Sequence, residues 1–186
     1  VRLGETVSED KVIGERSFTA TSFEFSTYLH LTDRIDNLNQ KKYPYYFALH
    51  VDADASFAYN GDEVPLTERF VTGGTSSVRG FKPGRLAPKD SNGRLYPGNF
   101  RLVGNFEFNI PLYNEFIYLA PFIDAGYVWD DIQDYNMDDI RISTGVTFKF
   151  RIPALQNQPI LLSLSYPLRD KGDEVEVFSF SFVTAF

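Results

Sequence analysis

Apolar and polar residues alternate one by one through most of this chain, the period of a strand with two unlike faces and not of a helix. In residues 17–31, Phe23, Phe25, Leu29 and Leu31 share a face, with Glu24, Ser26, Tyr28 and His30 opposite. Residues 43–59 set Tyr43, Tyr45, Phe47, Leu49, Val51 and Phe57 against Ala48, His50, Asp52, Asp54 and Ser56. Residues 99–111 oppose Phe100, Leu102, Phe106 and Phe108 to Arg101, Asn105, Glu107 and Asn109. In residues 116–129, Ile117, Leu119, Ile123, Tyr127 and Trp129 fall on one side, Asp124 and Gly126 on the other. Residues 140–152, 160–168 and 175–186 repeat the pattern, which predicts seven strands, with residues 1–7 as a poorer eighth. Each of the seven is longer than the mean strand of about five to six residues. Their lengths suit an oblique bilayer crossing, which needs about nine to eleven.

Alternation leaves open which face is wet, and a soluble ligand-binding β-barrel would turn its apolar face inward. Three features favour an apolar face turned to lipid. Aromatics gather toward strand ends, at Tyr43, Tyr45, Tyr127 and Trp129, as interface girdles do. The polar faces mix Ser, Gly and Asn with Glu107, Asp124, Arg141 and Lys149, the make-up of a barrel lumen. Short connections (113–115, 169–174) alternate with long ones (61–98, 130–139). The expected fold is all-β, a transmembrane antiparallel up-and-down β-barrel with about eight strands in this chain, residues 1–186 forming a single domain.

One stretch breaks the alternation. Residues 70–81, Phe-Val-Thr-Gly-Gly-Thr-Ser-Ser-Val-Arg-Gly-Phe, suit neither helix nor strand, and a long irregular segment rich in Pro and Gly follows to Gly98. Gly73, Gly74 and Gly80 admit backbone angles closed to other residues, and Arg79 stands alone among small neighbours. A lone arginine so placed predicts a loop that docks onto something acidic.

Composition narrows the function. With 25 acidic and 18 basic residues the formal charge is −7, which argues against nucleic acid as partner. There is no cysteine, hence no disulfide framework and no thiolate metal site. No apolar run approaches the roughly 20 residues of a transmembrane helix, and residues 1–4 carry no signal peptide. No nucleophile elbow or Walker loop is present, and Gly73-Gly74 lacks the lysine of a phosphate loop. His50 beside Asp52 and Asp54 reads as lumen lining before cation site, and the acidic stretch 130–139 as a solvated loop. The expectation is a protein without catalytic residues, metal or cofactor.

Residues 72–81 with their Val78-Arg79-Gly80-Phe81 core, Asn105-Phe106-Glu107-Phe108, and Phe122-Ile123-Asp124-Ala125-Gly126-Tyr127 occur in an order that resembles the C-terminal barrel half of the BamA/TamA superfamily, the bacterial surface antigen domain. The resemblance runs over residues 18–186. Phe178, Phe180, Phe182 and the terminal Phe186 resemble the C-terminal assembly signal of bacterial outer-membrane proteins. The resemblance implies that residues 61–98 form an extracellular loop folded back into the lumen, and that Arg79 meets Glu107 and Asp124, both already on the polar face. It also implies location in the bacterial outer membrane, contact with membrane lipid, and a role in assembling or translocating client outer-membrane proteins. Full-length members carry POTRA domains and a sixteen-stranded barrel. The strands here therefore belong to its C-terminal half, or to a short member without POTRA domains that closes alone or with a second copy of itself. A short barrel acting as pore or structural protein is the alternative function.

Overall fold

A computed structural model describes residues 2–13, 16–36, 41–59, 61–114, 116–151 and 159–182, with the backbone alone at 2–13, 16 and 182. Eight strands follow in order: β1 (Arg2–Ile13), β2 (Arg16–Ile35), β3 (Lys42–Ala58), β4 (Phe100–Tyr113), β5 (Ile117–Trp129), β6 (Arg141–Arg151), β7 (Pro159–Arg169) and β8 (Phe178–Phe182). They form one antiparallel sheet in the order β1 to β8, each strand bonded to its neighbour in sequence. Among the described residues β1 and β8 do not pair with each other, so both edges are open. No helix among them is long and apolar enough to cross a membrane.

The two faces separate as the alternation requires. Phe178 and Phe180 are 57% and 51% exposed, while Ser179 between them is 7% exposed. Ile123 is 52% exposed, yet its neighbour Asp124 is fully buried. The apolar side chains thus face outward and the polar ones inward, which removes the soluble reading with its apolar interior. On the outer face Phe47 packs against Phe106 and Phe108, ring centroids 5.2 and 4.9 Å away, and Tyr45 lies 6.4 Å from Phe108.

Four expectations are corrected. The first strand is longer than residues 1–7: β1 pairs with β2 from Arg2↔Ser26 to Ile13↔Arg16, with a register shift between Arg2 and Glu5, because main-chain bonding to a regular neighbour does not need side-chain alternation. The last strand begins at Phe178, not at 175. Continuing its phase backward would put Glu176 and Glu174 on the face of Phe178 and Phe180, and the segment leaves β7 instead. Phe186 lies outside the described residues, as does the side chain of Phe182. The connection grouped with the short turns, 169–174, belongs to the opposite end: in an up-and-down sheet the β1–β2, β3–β4, β5–β6 and β7–β8 connections share one end. Finally, Tyr43, Tyr127 and Trp129 are not surface girdle residues, being 5%, 8% and 3% exposed. The connections fold over the sheet end and cover the two on β5. The Tyr127 hydroxyl donates to the Ala87 carbonyl at 3.1 Å, and Trp129 packs 4.9 Å from Tyr135.

The apolar core gathers where the long β3–β4 connection meets the sheet. Val78, Phe81 and Leu86 from that connection pack with Val103 of β4 and with Tyr127 and Trp129 of β5. Fully burying a side chain of this size contributes about 1.5–3 kcal/mol. That burial presses residues 70–87 onto the inner face.

Candidate functional site

The polar faces of β4, β5 and β6 meet in the lumen because their registers bring matching residues level. Asn105 lies opposite Asp124, and Asp124 opposite Ser143. Residues 72–81 lie across this row. Their own bonds shape the loop: the Gly73 amide donates to Ser77 Oγ at 2.9 Å and the Gly74 amide to the Val78 carbonyl at 3.1 Å. A Cβ on Gly73 would stand 2.6 Å from the Lys82 carbonyl oxygen, and its φ is +103°, so only glycine closes the turn.

Arg79 is the centre. Its Nε and Nη2 donate to the two oxygens of Asp124 at 2.7 and 2.8 Å, a bidentate pair, and its own amide donates to Asp124 Oδ2 at 3.0 Å. Nη1 reaches Glu107 Oε1 at 2.5 Å and Thr147 Oγ1 at 3.1 Å. The guanidinium carbon lies over the Phe122 ring, 3.6 Å from its centroid. Lys149 Nζ takes the other Glu107 oxygen at 2.5 Å. Two cations therefore balance two anions in a site where Asp124 has no exposure. Removing one partner would leave a buried charge uncompensated, which costs about 3–5 kcal/mol.

The neighbours close around this set. Ser143 Oγ donates to the Arg79 carbonyl, and Asn105 Nδ2 to the Ser77 carbonyl at 2.6 Å. Gly80 has φ +90°, and a Cβ there would stand 3.2 Å from the Cβ atoms of both Ser143 and Ser165. Phe81 is fully buried, and Val78 fills the space over Gly126. Beside the loop a cavity of about 320 Å³ is lined by polar groups including His50, Tyr46, Asn109 and Lys149.

Of the residues singled out from sequence, the structure thus brings Gly73, Gly74, Val78, Arg79, Gly80 and Phe81 together with Glu107 and Asp124. His50, Asp52 and Asp54 do not converge on a common point: His50 bonds Asp52 at 2.9 Å and Ser26 at 2.7 Å, while Asp54 is taken by Arg101 at 2.7 Å. In the acidic stretch, Asp131 caps its own turn and Asp139 pairs with Lys171. The alternation over residues 140–152 puts Lys149, Thr147 and Ser143 on the polar face but gives them no role. Their alternation in step with Asp124 on the adjacent strand was the available signal. Asp173, buried between Lys89 and Arg141 at 2.6 Å each, left no signal at all, since it sits in a polar turn.

Known proteins resemble this chain in sequence and in fold. The Omp85 superfamily domain matches residues 2–186. The outer membrane protein assembly factor BamA of Nitratidesulfovibrio vulgaris is 31% identical over 63% of this chain and 15% of its own length. That of Neisseria meningitidis serogroup B is 30% identical over 67% of this chain and 19% of its own. The crystal structure of BamA from Haemophilus ducreyi lacking POTRA domains 1–3 superposes with a TM-score of 0.71 at 24% identity, covering 95% of this chain and 37% of that one. The chain spans less than a fifth of the length of the two curated relatives, and it has the fold of the matched part of the solved structure.

Proposed function

The chain belongs to the Omp85 superfamily, and on that premise we propose that it forms part of the wall of a bacterial outer-membrane barrel that assembles or translocates other outer-membrane proteins. The observation that carries this reading is the docked loop, with Arg79 held by Asp124 and Glu107 on the inner wall. The names of the relatives, assembly factors of the outer membrane, point the same way.

The outer face meets lipid, and the polar inner face meets water. In hydrocarbon every main-chain polar group needs a partner, so the open edges at β1 and β8 are closed by further strands or by a second copy. Such edges are also where work is done. Unpaired N–H and C=O groups template an incoming strand by β-augmentation, with no bond-making chemistry and no cofactor. Arg79 contributes by position: it fixes the loop against β4, β5 and β6, so the lumen keeps one shape while strands exchange at the edges.

The test is client folding. Proteoliposomes carrying the protein should speed the folding of an unfolded outer-membrane barrel, read as the heat-sensitive shift in gel mobility, and Arg79→Ala should remove the gain. Steady conductance in planar bilayers with no acceleration of folding would replace this reading with that of a pore.

A further inference from the structure

The loop has a second attachment that the Arg79 cluster does not explain. Asp173, between β7 and β8, has a side chain with no exposure, and two cations meet it. Arg141 Nε lies 2.6 Å from Oδ2, and Lys89 Nζ lies 2.6 Å from Oδ1. Arg141 opens β6 and stacks over Tyr127 at 4.2 Å, while Lys89 comes from the returning limb of the loop. Directly after Asp173 the chain turns from β7 and runs beside the loop. The Lys82 amide donates to the Glu174 carbonyl, the Glu176 amide donates to the Gly80 carbonyl, both at 3.0 Å, and Phe81 bridges Val175. β8 begins at Phe178.

We infer that Asp173 positions the returning limb of the loop, and that through the 174–176 ladder loop docking fixes where the terminal strand β8 parts from its hairpin partner β7. A carboxylate with no exposure has no water to solvate it, so its two cations hold it by necessity. The neighbouring pairs of Glu174 with Lys82 and Arg85 face solvent, where such contacts contribute little. A ladder this short does not hold on its own.

Among the described residues the 174–176 main chain has no equivalent partner elsewhere. Extending the β7–β8 register from Leu164↔Phe178 would bring Val175 opposite Pro167, which has no N–H to donate. It would also place Glu174 and Glu176 on the greasy face. The main chain of 174–176 therefore finds its partners on the loop, and the start of β8 follows the loop. The functional weight of this rests on the proposed reading of the terminal strands as the working edge.

Hydrogen exchange on the purified protein in lipid nanodiscs, with no client present, tests the coupling. In Asp173→Asn the Lys82 and Glu176 amides should exchange about tenfold faster or more, since local opening sets their rate. The Arg79 amide, bonded to Asp124, should keep its protection. Lys89→Gln removes one cation from a half-exposed site and should raise exchange at the same two amides by less. It gives the reading should Asp173→Asn not fold. Unchanged protection of Lys82 and Glu176 overturns the inference, and so does equal loss at the Arg79 amide, which would make the loop a single unit. Because no client enters the measurement, failure of client folding leaves this result standing, and the reverse holds too.

Discussion

Arg79 and Asp124 are joined three times: the Arg79 amide, Nε and Nη2 all donate to the one carboxylate, at 3.0, 2.7 and 2.8 Å. Backbone and side chain of the loop thus grip the same group on β5. The guanidinium still has Nη1 free to reach Glu107 on β4 and Thr147 on β6. A lysine at this position is a point charge without the planar fork, and could not make the same set.

Breaking this pair should be the most damaging single change in the lumen. Arg79→Ala and Asp124→Asn are each expected to destabilise the folded barrel by about 3–5 kcal/mol, read from the urea midpoint of the heat-modifiable form in liposomes. Glu107→Gln should cost less, because Asp124 still holds Arg79. Asp124→Arg should prevent assembly, and a variant of that kind inserting at the normal yield would sink the docking argument.

Gly80 offers a separate test of the loop's seat. Gly80→Ala places a side chain at φ +90° and 3.2 Å from the Cβ atoms of Ser143 and Ser165. The expected cost is about 1–3 kcal/mol, seen as earlier protease cleavage within residues 82–98. Adding Ser165→Gly should restore part of the loss, because it relieves one of the two contacts and leaves the Ser143 contact and the backbone strain.

Ile123 and Asp124 adjoin in sequence and face opposite media. Ile123→Lys puts a charge on the outer wall and should cost about 2–4 kcal/mol if the position lies near the bilayer midplane. Ile123→Leu should be nearly neutral. Folding yield into liposomes separates the two, and equal yields would place this face away from lipid.

The rim of the loop should respond to pH. The hydrogen bond from Lys82, with the charges of Arg85 and Lys82, holds the half-exposed Glu174 carboxyl below its ordinary value of 4.5. A carboxylate depressed in the folded state adds stability that is complete above 4.5 and disappears as pH falls through the lower folded value. Protection of the Lys82 amide, taken relative to the intrinsic exchange rate at each pH, should therefore fall below about pH 4.5 and not in Glu174→Gln.

The strands and their faces were legible because a period of two, repeated over long segments, fixes both the element and its sidedness. The same period put Glu107 and Asp124 on the inner face before any contact was known. What it could not show is what happens where the sheet ends. Tyr127 keeps the phase of Ile123 but is buried, because the connections fold over it. Val175 and Glu176 look like strand, yet their main chain pairs with the loop. Asp173 and Arg141 meet through a chain reversal that leaves no mark on either local pattern.

The attachments of the loop are graded by depth. At the mouth, Lys82, Arg85 and Glu174 stand in water, where dissolved ions weaken them, while the Arg79 cluster is shielded from salt. Rising ionic strength should thus peel the segment from its outer end inward, with the deepest clasp parting last. A medium poor in salt would keep the whole length fastened.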